Sequence, residues 1–270
     1  MHYLPISYTE TYKKAVDMTY HRVFGKWINW DNPQTFTEKL NWLKVHDVSF
    51  EKILCADKLK LSKYCMSKLG KDICIPNLAV YKSAEECLAK SHGECILKCN
   101  HGSGMNIIQH TKTLSDADVK KLHEWMNTDY GKIHNELHYS FIDKKIISEP
   151  LLSNIVDIKC FCFNGHPKFW QVDRHFAEHR MNFYSLNWEL LPYSRKSYPS
   201  NAKIHDTKPV FINEMQQCAK VLSDGFKFVR VDFIVQPNKW YLGEMTFIPG
   251  AGIQSYVHDE DNVIGAMLCL

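Results

Sequence analysis

Two acidic residues stand in an otherwise apolar, strand-like stretch near the C-terminus, RVDFIVQPNKWYLGEMTFIPG at 230–250. They are Asp232 and Glu244. Burying a carboxylate is costly unless a positive charge meets it. Mg²⁺ is one candidate, because it binds one or two carboxylates together with phosphate oxygens. An ion pair with Arg230 is the alternative, and the hairpin alone favours neither.

The spacing of these acids constrains the turn between their strands. In an antiparallel pair of strands, the residue numbers of opposed partners add to a constant. Asp232 can therefore oppose Glu244 only across a loop with an odd number of residues. An even loop would turn the two carboxylates to opposite faces. Pro237-Asn238-Lys239 suits a three-residue loop. We therefore expect such a loop, with both acids on one face and about 5 Å apart.

A glycine-rich turn between two strands, CILKCNHGSGMNII at 95–108, suits phosphate binding. Its Gly102, Ser103 and Gly104 offer backbone N–H groups, and Lys98 lies on the strand that leads into them. Glycine turns beside an ammonium group can clamp a phosphate. The alternative is an ordinary turn after a solvated lysine, because no GK[ST] sequence follows.

Two further charged residues lie where a nucleotide site could use them. Lys58 stands at the start of a helix expected over 57–69, where a lysine does not favour the helix dipole. Glu149 ends a strand expected over 145–149. The structural alternatives are a solvated helix face for the lysine and a partly exposed strand end for the acid.

Hydrophobic periodicity and turn residues predict the elements that must position these groups. A helix should start from Thr35 or Thr37, Gly70 and Gly225 should end helices, and Asn164-Gly165 marks a β-hairpin. The other expected elements are helices at 8–24, 83–90, 115–128 and 211–225 and a strand at 94–99. Helices come first, an α/β section follows, and antiparallel strands come last. This order predicts an α+β fold with two lobes and a cleft.

Composition excludes some classes of protein. The 270 residues carry a formal net charge of +3, which is too weakly basic for a dedicated nucleic-acid binder. Ten cysteines without a CxxC pair suit a reducing cytosol. No apolar run reaches the roughly 20 residues of a membrane span, and the N-terminus lacks the apolar core of a signal peptide. We expect a cytoplasmic protein without a membrane span.

Together these segments resemble the ATP-grasp superfamily, in which a D-K pair, a lysine before a glycine loop, an interlobe glutamate and R-x-D…E follow in order. Seven motifs are similar to the TupA-like group, named for teichuronopeptide biosynthesis: NPQTFTEKLNWLK, ADKL, LKCNHGSGMNII, CFCFNGHPKFWQVD, HRMNFY, FVRVDF and GEMTFIPGAG. The resemblance implies an ATP-grasp fold whose two α+β lobes clasp ATP. A short helical segment at 1–56, a small lobe at 57–150 and a large lobe at 151–270 are expected.

The resemblance also implies ligands for ATP. Lys58 and Lys98 would hold the triphosphate, and the glycine turn would close over it. The stretch Glu149–Leu151, with Pro150 at its centre, would form the hinge that meets adenine through backbone groups. Asp157 would face the ribose.

The same resemblance implies a magnesium site. Asp232 and Glu244 would bind Mg²⁺, with Glu244 bridging two ions. Many ATP-grasp enzymes carry asparagine two residues after that glutamate, whereas this chain has Thr246. A hydroxyl coordinates more weakly than an amide carbonyl, so the ligands of a second ion are where this chain departs from the pattern.

Four basic residues each have a functional and a structural interpretation. Arg230 would contact the acyl phosphate or the attacking carboxylate, or else orient Asp232 through an ion pair. Arg180 and Lys159 would reach phosphate or substrate, or else be solvated. His101 would touch the γ-phosphate, or else face solvent.

Two other groups of residues are expected to be structural. His134 and His138 have the spacing of two metal ligands on a helix, but the HExxH order and a third ligand are absent. Trp27, Trp30 and Trp42 could stack on a sugar, and we expect them in the core because aromatic residues at helical spacing usually pack there.

The superfamily resemblance implies a carboxylate–amine ligase that uses an acyl phosphate. The association with surface polysaccharide implies a uronic-acid carboxylate as one substrate and an amino acid or another amine as the second. The acceptor could be a nucleotide sugar, a lipid-linked glycan or a polymer. A sugar phosphotransferase with Asp173 as its general base is one alternative. A nucleotide-binding module of a glycan assembly complex is another.

Overall fold

The structure, a computed structural model, describes residues 6–91, 93–111, 113–174 and 179–270, with side chains from residue 10 onward. The α-helices are α1 Ile6–Phe24, α2 Phe36–His46, α3 Phe50–Ala56, α4 Leu61–Leu69, α5 Ala84–Lys90, α6 Asp116–Asn127, α7 Tyr130–His134, α8 Ile212–Ser223 and α9 Glu260–Gly265. The strands are β1 Ala79–Tyr81, β2 Cys95–Cys99, β3 Asn106–Gln109, β4 Ile146–Glu149, β5 Val156–Phe163, β6 His166–Arg174, β7 Arg180–Ser185, β8 Leu190–Leu191, β9 Phe228–Gln236 and β10 Lys239–Thr246. Short 3₁₀ helices cover Leu137–Phe141 and Pro249–Gly252. None of the helices in these ranges combines the length and hydropathy that a membrane crossing requires.

The strands form two antiparallel sheets. The smaller sheet has the order β1-β4-β2-β3, and the larger sheet has the order β10-β9-β5-β6-β7-β8. Helices α5 and α6 pack on the smaller sheet around buried Cys87, Leu97 and Leu122. Helices combined with antiparallel sheets confirm the predicted α+β class.

The larger sheet has an apolar face and a charged face, because successive side chains on a strand alternate in direction. Cys160 pairs with Val231 on the apolar face, and α8 covers that side. Lys159 pairs with Asp232 on the other side, which we call the charged face. The polar groups of β5, β6, β9 and β10 that could do chemistry are therefore collected on one surface.

Local sequence signals account for several elements. Asn164 and Gly165 connect β5 to β6 with φ values of 49° and 77°, the left-handed pair of a two-residue hairpin turn, as predicted. The Thr35 hydroxyl accepts a hydrogen bond from Glu38 N, and the Glu38 carboxylate accepts one from Thr35 N. This capping box starts α2. Gly70, with φ 68°, ends α4.

The helix predicted over 57–69 is shorter in the structure. α4 begins at Leu61, and a separate helix, α3, precedes it. Asp57 Oδ1 accepts the backbone N–H two residues further on, which favours a turn over continued helix. Lys58 therefore lies in this turn rather than in the first turn of a helix.

Candidate active site

The two hairpin acids face each other, but not across the predicted three-residue loop. β9 and β10 are joined by a two-residue turn, because Gln236 pairs with Lys239. A β-bulge with Gly243 as its additional residue then shifts the register by one, and Asp232 pairs with Glu244. The predicted loop length is wrong, and the bulge restores the predicted pairing.

One guanidinium gathers the oxygen atoms of this hairpin. Arg230 donates from Nε to Asp232 Oδ1 at 2.7 Å and from Nη2 to Asp232 Oδ2 at 2.6 Å. The same Nη2 lies 3.2 Å from Thr246 Oγ1 and 3.8 Å from Glu244 Oε1. Thr246 Oγ1 also lies 3.2 Å from Glu244 Oε1. The ion pair considered as an alternative is therefore present, with the second acid beside it.

Lys159 is a second cation on the charged face. Its Nζ lies 3.7 Å from Asp157 Oδ2, 3.7 Å from Asp232 Oδ2 and 4.0 Å from Asp173 Oδ2. The register explains this, since Lys159 pairs with Asp232 and Asp157 pairs with Asp173. His179 Nε2 lies 2.7 Å from Asp173 Oδ1. The ammonium group is thus surrounded by carboxylates and is not solvated.

The charges at the site set its pKa values. Burial by itself raises the pKa of Glu244, but nearby cations, chiefly Lys58 and Arg230, outweigh burial and lower that pKa to about 2. Burial lowers the pKa of Arg230, and its attraction to Asp232 outweighs burial, so the guanidinium pKa is raised. Burial likewise lowers the pKa of Lys159, and the surrounding carboxylates raise it overall. At neutral pH the site therefore combines an ionised Glu244 with fully charged cations.

Lys58 connects the hairpin with the glycine-rich turn. Its Nζ donates to the Gly102 carbonyl at 2.6 Å and lies 3.8 Å from Glu244 Oε2. Gly104 has φ 73°, a conformation that glycine adopts readily. A Cβ on Gly102 would lie 2.8 Å from the Tyr130 ring, so close packing requires glycine there. One ammonium group thus contacts both the predicted phosphate-binding turn and a predicted metal ligand.

Lys98 and Glu149 form an ion pair on adjacent strands of the smaller sheet, with Nζ 2.5 Å from Oε2. Glu149 is buried, which excludes the alternative interpretation of a partly exposed acid at the end of a strand. Pro150 and Leu151 begin the irregular segment that leads from β4 to β5, and Asp157 follows near the start of β5. The predicted hinge therefore connects the two sheets, while its contact with adenine stays a prediction.

Arg180 lies on the wrong face for the predicted role. It pairs with Arg174, which follows Asp173 along β6 and so points to the opposite face of the sheet. Its Nη1 and Nη2 donate to the buried Asp206 carboxylate at 3.2 and 3.0 Å. This ion pair corrects both expectations for Arg180, since the side chain neither faces the acid pair nor is solvated.

His101 does not face solvent, which corrects one of its two interpretations. The side chain is buried, and its Nε2 lies 3.1 Å from the Trp125 carbonyl of α6. Burial lowers the pKa of this imidazole and favours its neutral form. The histidine therefore packs between the glycine turn and α6, while its contact with the γ-phosphate stays a prediction.

The residues expected to be structural are largely so. His138 is buried, as expected for a structural residue. Trp30 and Trp42 are partly buried against apolar clusters. Trp27 is 57% exposed, so the core prediction is wrong for that residue.

The hairpin fits a magnesium ion by the chemistry of its donors. Asp232, Glu244 and Thr246 offer only oxygen atoms, which Mg²⁺ prefers. Arg230 uses part of the Asp232 hydrogen-bonding capacity, but each carboxylate oxygen has a second lone pair. Because the donors are too few for a closed cage, an ion here would complete its coordination with phosphate oxygens and water.

A family model described as TupA-like ATPgrasp matches residues 38–269. No curated protein sequence matches the chain. Similar solved structures include the D-alanine–D-alanine ligase from Bacillus anthracis complexed with ATP, at 17% identity and a TM-score of 0.42, over 78% of this chain and 57% of that one. VanG D-Ala:D-Ser ligase from Enterococcus faecalis is similar at 15% identity and a TM-score of 0.44, over 74% and 54%. The ATP-grasp ligase PsnB complexed with minimal precursor, Mg and ADP is similar at 12% identity and a TM-score of 0.38, over 78% and 57%. The chain spans less than two thirds of the length of each of these ligases.

Proposed function

Because the chain belongs to the TupA-like ATP-grasp family, we propose that it is an ATP-dependent carboxylate–amine ligase that forms an acyl phosphate. The observation that supports this most directly is the convergence of Asp232, Glu244 and Thr246 with two cations, Arg230 and Lys58. A module that only binds nucleotide has no need for paired acids within such a cluster.

The chemistry needs positive charge, because an anionic carboxylate must approach an anionic phosphate. We assign Lys58 and Lys98 to the triphosphate and Arg230 to the attacking carboxylate. The glycine-rich turn would exclude water, which would otherwise hydrolyse the acyl phosphate. Mg²⁺ held by Asp232 and Glu244 would neutralise phosphate charge and orient the reacting groups.

The reaction takes place in two steps. A carboxylate oxygen forms a bond to the γ-phosphorus, and the bond from that phosphorus to the bridging oxygen of ADP breaks. The amine nitrogen then attacks the acyl carbon, phosphate leaves with the electrons of the broken C–O bond, and the nitrogen loses a proton. No side-chain nucleophile is required for either step.

The substrates and the layout of the nucleotide site are part of the proposal. We infer that the acid is a uronic-acid carboxylate of a surface polysaccharide or its precursor, joined to an amino acid or another amine in the cytoplasm. The resemblance to a group named for teichuronopeptide biosynthesis supports this choice. Adenine would meet Glu149–Leu151, and the ribose would meet Asp157, between lobes at 57–150 and 151–270.

A sugar phosphotransferase needs a general base near the γ-phosphate, and Asp173 is the candidate. Its carboxylate lies 2.7 Å from His179 and 4.0 Å from Lys159. These contacts already engage the carboxylate oxygens that would have to accept the proton of a sugar hydroxyl. They therefore favour the ligase.

One assay separates the alternatives. The protein is incubated with ATP, Mg²⁺ and a panel of uronic acids and amines, and release of inorganic phosphate is followed. A ligase releases phosphate only when both an acid and an amine are present. Transfer of phosphate to a sugar without an amine would identify a phosphotransferase, and nucleotide binding without turnover would identify a module.

A further inference from the structure

An imidazole and a carboxylate form a pair on the charged face, outside the residues assigned so far to ATP and Mg²⁺. His179 Nε2 lies 2.7 Å from Asp173 Oδ1. Asp173 is buried near the end of β6, whereas the side chain of His179, which directly precedes β7, is 30% exposed. The pair therefore presents a partly accessible imidazole that is anchored on a fixed acid.

Two contacts fix the orientation of this imidazole. Arg180 points to the opposite face of the sheet, so the residue before it points to the charged face, where Nε2 meets Asp173. The His179 ring also packs on Tyr198, with ring centroids 3.9 Å apart and an angle of 36° between the planes. The ring is thus held at one edge by a carboxylate and on one face by a phenol, as a group that transfers protons at a fixed position must be.

The carboxylate determines which ring nitrogen is basic. A carboxylate only accepts hydrogen bonds, so His179 Nε2 donates and the lone pair of the neutral ring lies on Nδ1. A carboxylate in this position also stabilises the imidazolium that forms when Nδ1 takes up a proton. Asp173 and His179 therefore have the arrangement of a base and its orienting acid.

Lys159 connects the pair with the acid hairpin. Its Nζ lies 4.0 Å from Asp173 Oδ2 and 3.7 Å from Asp232 Oδ2. In the larger sheet β5 lies between β6 and β9, so two strand spacings, about 10 Å, separate the strands of the two acids. Asp173 also acts electrostatically on Arg230. The acyl carbon is bonded to an oxygen of the phosphate, so an amine that attacks it from the side of β6 lies between His179 and the hairpin.

We propose that His179, oriented by Asp173, is the base that takes a proton from the amine substrate before the second step of the ligation. The inference deepens the proposed ligase function and rests on it. Aliphatic amines are mainly ammonium ions at neutral pH, and an ammonium nitrogen has no lone pair with which to attack. The ligase therefore needs a proton acceptor beside the acyl phosphate, and histidine is suited to this task near neutral pH.

The protons and electrons of this step balance. Nδ1 of His179 takes one proton from the ammonium ion and becomes part of an imidazolium. The freed lone pair forms the bond to the acyl carbon, and the C–O bond to phosphate breaks with its electrons on the phosphate oxygen. The second proton that the nitrogen loses passes to the departing phosphate, and the imidazolium then releases its proton to water.

Neighbouring groups are less suited to this role. Burial lowers the pKa of Lys159, but the carboxylates around it raise that pKa overall, so the ammonium group stays charged and accepts no proton. Asp232 and Glu244 are assigned to Mg²⁺, and His101 is buried against α6. His179 combines a basic nitrogen with partial exposure and a fixed orientation.

The test uses two amines that differ in protonation. His179→Gln removes the basic nitrogen and keeps a side chain that can hydrogen-bond to Asp173. D-glucuronate, ATP and Mg²⁺ are supplied with glycine, which is mainly an ammonium ion at neutral pH, or with hydroxylamine, which is mainly uncharged. We expect kcat for phosphate release with glycine to fall by at least about 100-fold. Formation of the hydroxamate and the KM for ATP should stay at their wild-type values.

The matched control is His166→Gln, at an exposed position of β6, which should keep wild-type rates with both amines. Full activity of His179→Gln with glycine would overturn the proposal. So would equal losses with glycine and hydroxylamine, because a residue that supports the fold or the first step affects both amines alike. His179-dependent transfer of phosphate to D-glucose without an amine would also overturn it, in favour of a phosphotransferase.

Nitrogen NMR of the imidazole side chains tests the arrangement without turnover. The signals of His179 are identified by their loss in His179→Gln. We expect the hydrogen of the neutral wild-type ring on Nε2, and a mixture of both ring forms in Asp173→Asn, because an asparagine side chain can donate as well as accept. A hydrogen on Nδ1 in the wild type would overturn the proposal.

The base and the ligase can fail separately. Wild-type protein that forms the hydroxamate and releases phosphate with glycine independently of His179 would keep the ligase and reject the base. Wild-type protein that forms no hydroxamate and releases no phosphate with D-glucuronate would reject the ligase for this acid, and the base with it.

Discussion

At the scale of single residues, the two hairpin acids differ in how their charges are met. Asp232 receives two hydrogen bonds of 2.6 and 2.7 Å from Arg230. Glu244 lies 3.8 Å from both Arg230 and Lys58. Short bidentate pairs are strong and well oriented, so Asp232 and Arg230 form a fixed framework. Glu244 can therefore bind a metal ion with less loss of existing contacts than Asp232 can.

Replacing Glu244 with glutamine tests this difference. The substitution removes the charge and keeps the shape and the acceptor for Thr246. We expect kcat/KM to fall by at least about 100-fold, as for loss of one electrostatic group in other active sites. The protein should stay folded with a somewhat lower unfolding temperature, because the variant loses the attraction to Lys58 and Arg230 that lowers the pKa of Glu244. Phosphate release and thermal unfolding measure the two effects.

The control for that variant is Glu214→Gln on α8. Glu214 is exposed and forms a surface ion pair with Lys71 at 3.2 Å, an interaction that contributes little. It should keep full activity. Full activity in Glu244→Gln would instead remove the acid from the proposed magnesium site.

The sequence alone does not show that Arg230 lies beside the acid pair whereas Arg180 forms an ion pair elsewhere. Arg230 stands two residues from its acid, and that proximity is visible in the sequence. Arg180 pairs with Asp206, 26 residues away, and the intervening chain gives no sign of the contact. His101 bonds to a carbonyl of α6 in the same way. Partners distant in sequence decide these roles, and they are fixed only by tertiary packing.

At the scale of elements, signals confined to a few neighbouring residues were predictable. The Asn164-Gly165 turn and the Thr35–Glu38 cap depend on groups within four residues of one another. The bulge at Gly243 depends on the partner strand, because a Cβ there would lie 3.2 Å from Ile234 Cγ1. The predicted pairing of the acids was therefore right although the predicted loop was wrong.

The glycine-rich turn gives a prediction at this scale. In Gly102→Ala the new Cβ would lie 2.8 and 2.9 Å from two ring atoms of Tyr130, so the ring or the turn must move. We expect the dissociation constant for the Mg²⁺ complex of ADP to rise about tenfold, which corresponds to about 1.4 kcal/mol. Calorimetric titration measures this change.

The matched control for the turn is a second-site change. Tyr130→Leu removes the ring that the alanine would meet, so the double variant should bind nucleotide more tightly than Gly102→Ala alone. Gly93→Ala, at a glycine with φ 81° and open space around it, should be strained without loss of nucleotide binding. Equal weakening in the single and double variants would rule out the steric explanation.

His138, in the 3₁₀ helix Leu137–Phe141, makes the free energy of unfolding depend on pH. Burial, followed by the charges of Lys52 and Lys44, lowers the pKa of His138 to about 3. The unfolded chain takes up this proton near pH 6.5, so the free energy of unfolding falls as the pH goes below 6.5 and stops falling near 3. From pH 7 to pH 5, His138 alone should lower the free energy of unfolding by about 2 kcal/mol.

Urea denaturation of His138→Leu at the two pH values measures that term. The variant should lose about 2 kcal/mol less on acidification than the wild type, because leucine does not titrate. His166→Leu, at an exposed position of β6, should follow the wild type. An unchanged pH dependence in His138→Leu would show that the folded protein takes up the proton as readily as the unfolded one.

At the scale of the whole molecule, the family predicted from the sequence, and with it the ATP-grasp fold, is confirmed by the family model over residues 38–269. They were predictable because the motifs follow one order along nearly the entire chain. The division at residue 57 stays a prediction. In the structure α4 packs against α8, and Cys74 pairs with Leu242 of β10. The segment 58–74 therefore also packs against the larger sheet and its helix, and Lys58 lies where this segment meets the glycine turn.

The two sheets and their contact through Lys58 lead to a prediction about the complete protein. A ligand that binds only the folded state raises its stability by about 2.7 kcal/mol at 100 times its dissociation constant. For a chain of this size that corresponds to a rise of about 5 to 10 °C in unfolding temperature. We expect this rise with ATP and Mg²⁺ together and a smaller one with ATP and EDTA.

In Glu244→Gln the part of the rise that is due to Mg²⁺ should disappear, while the part due to ATP alone remains, because Lys58 and Lys98 still meet the phosphates. Scanning calorimetry of both proteins, each without ligand, with ATP and Mg²⁺, and with ATP and EDTA, measures these shifts. Equal shifts with and without Mg²⁺ in the wild type would show that the nucleotide binds without the hairpin acids.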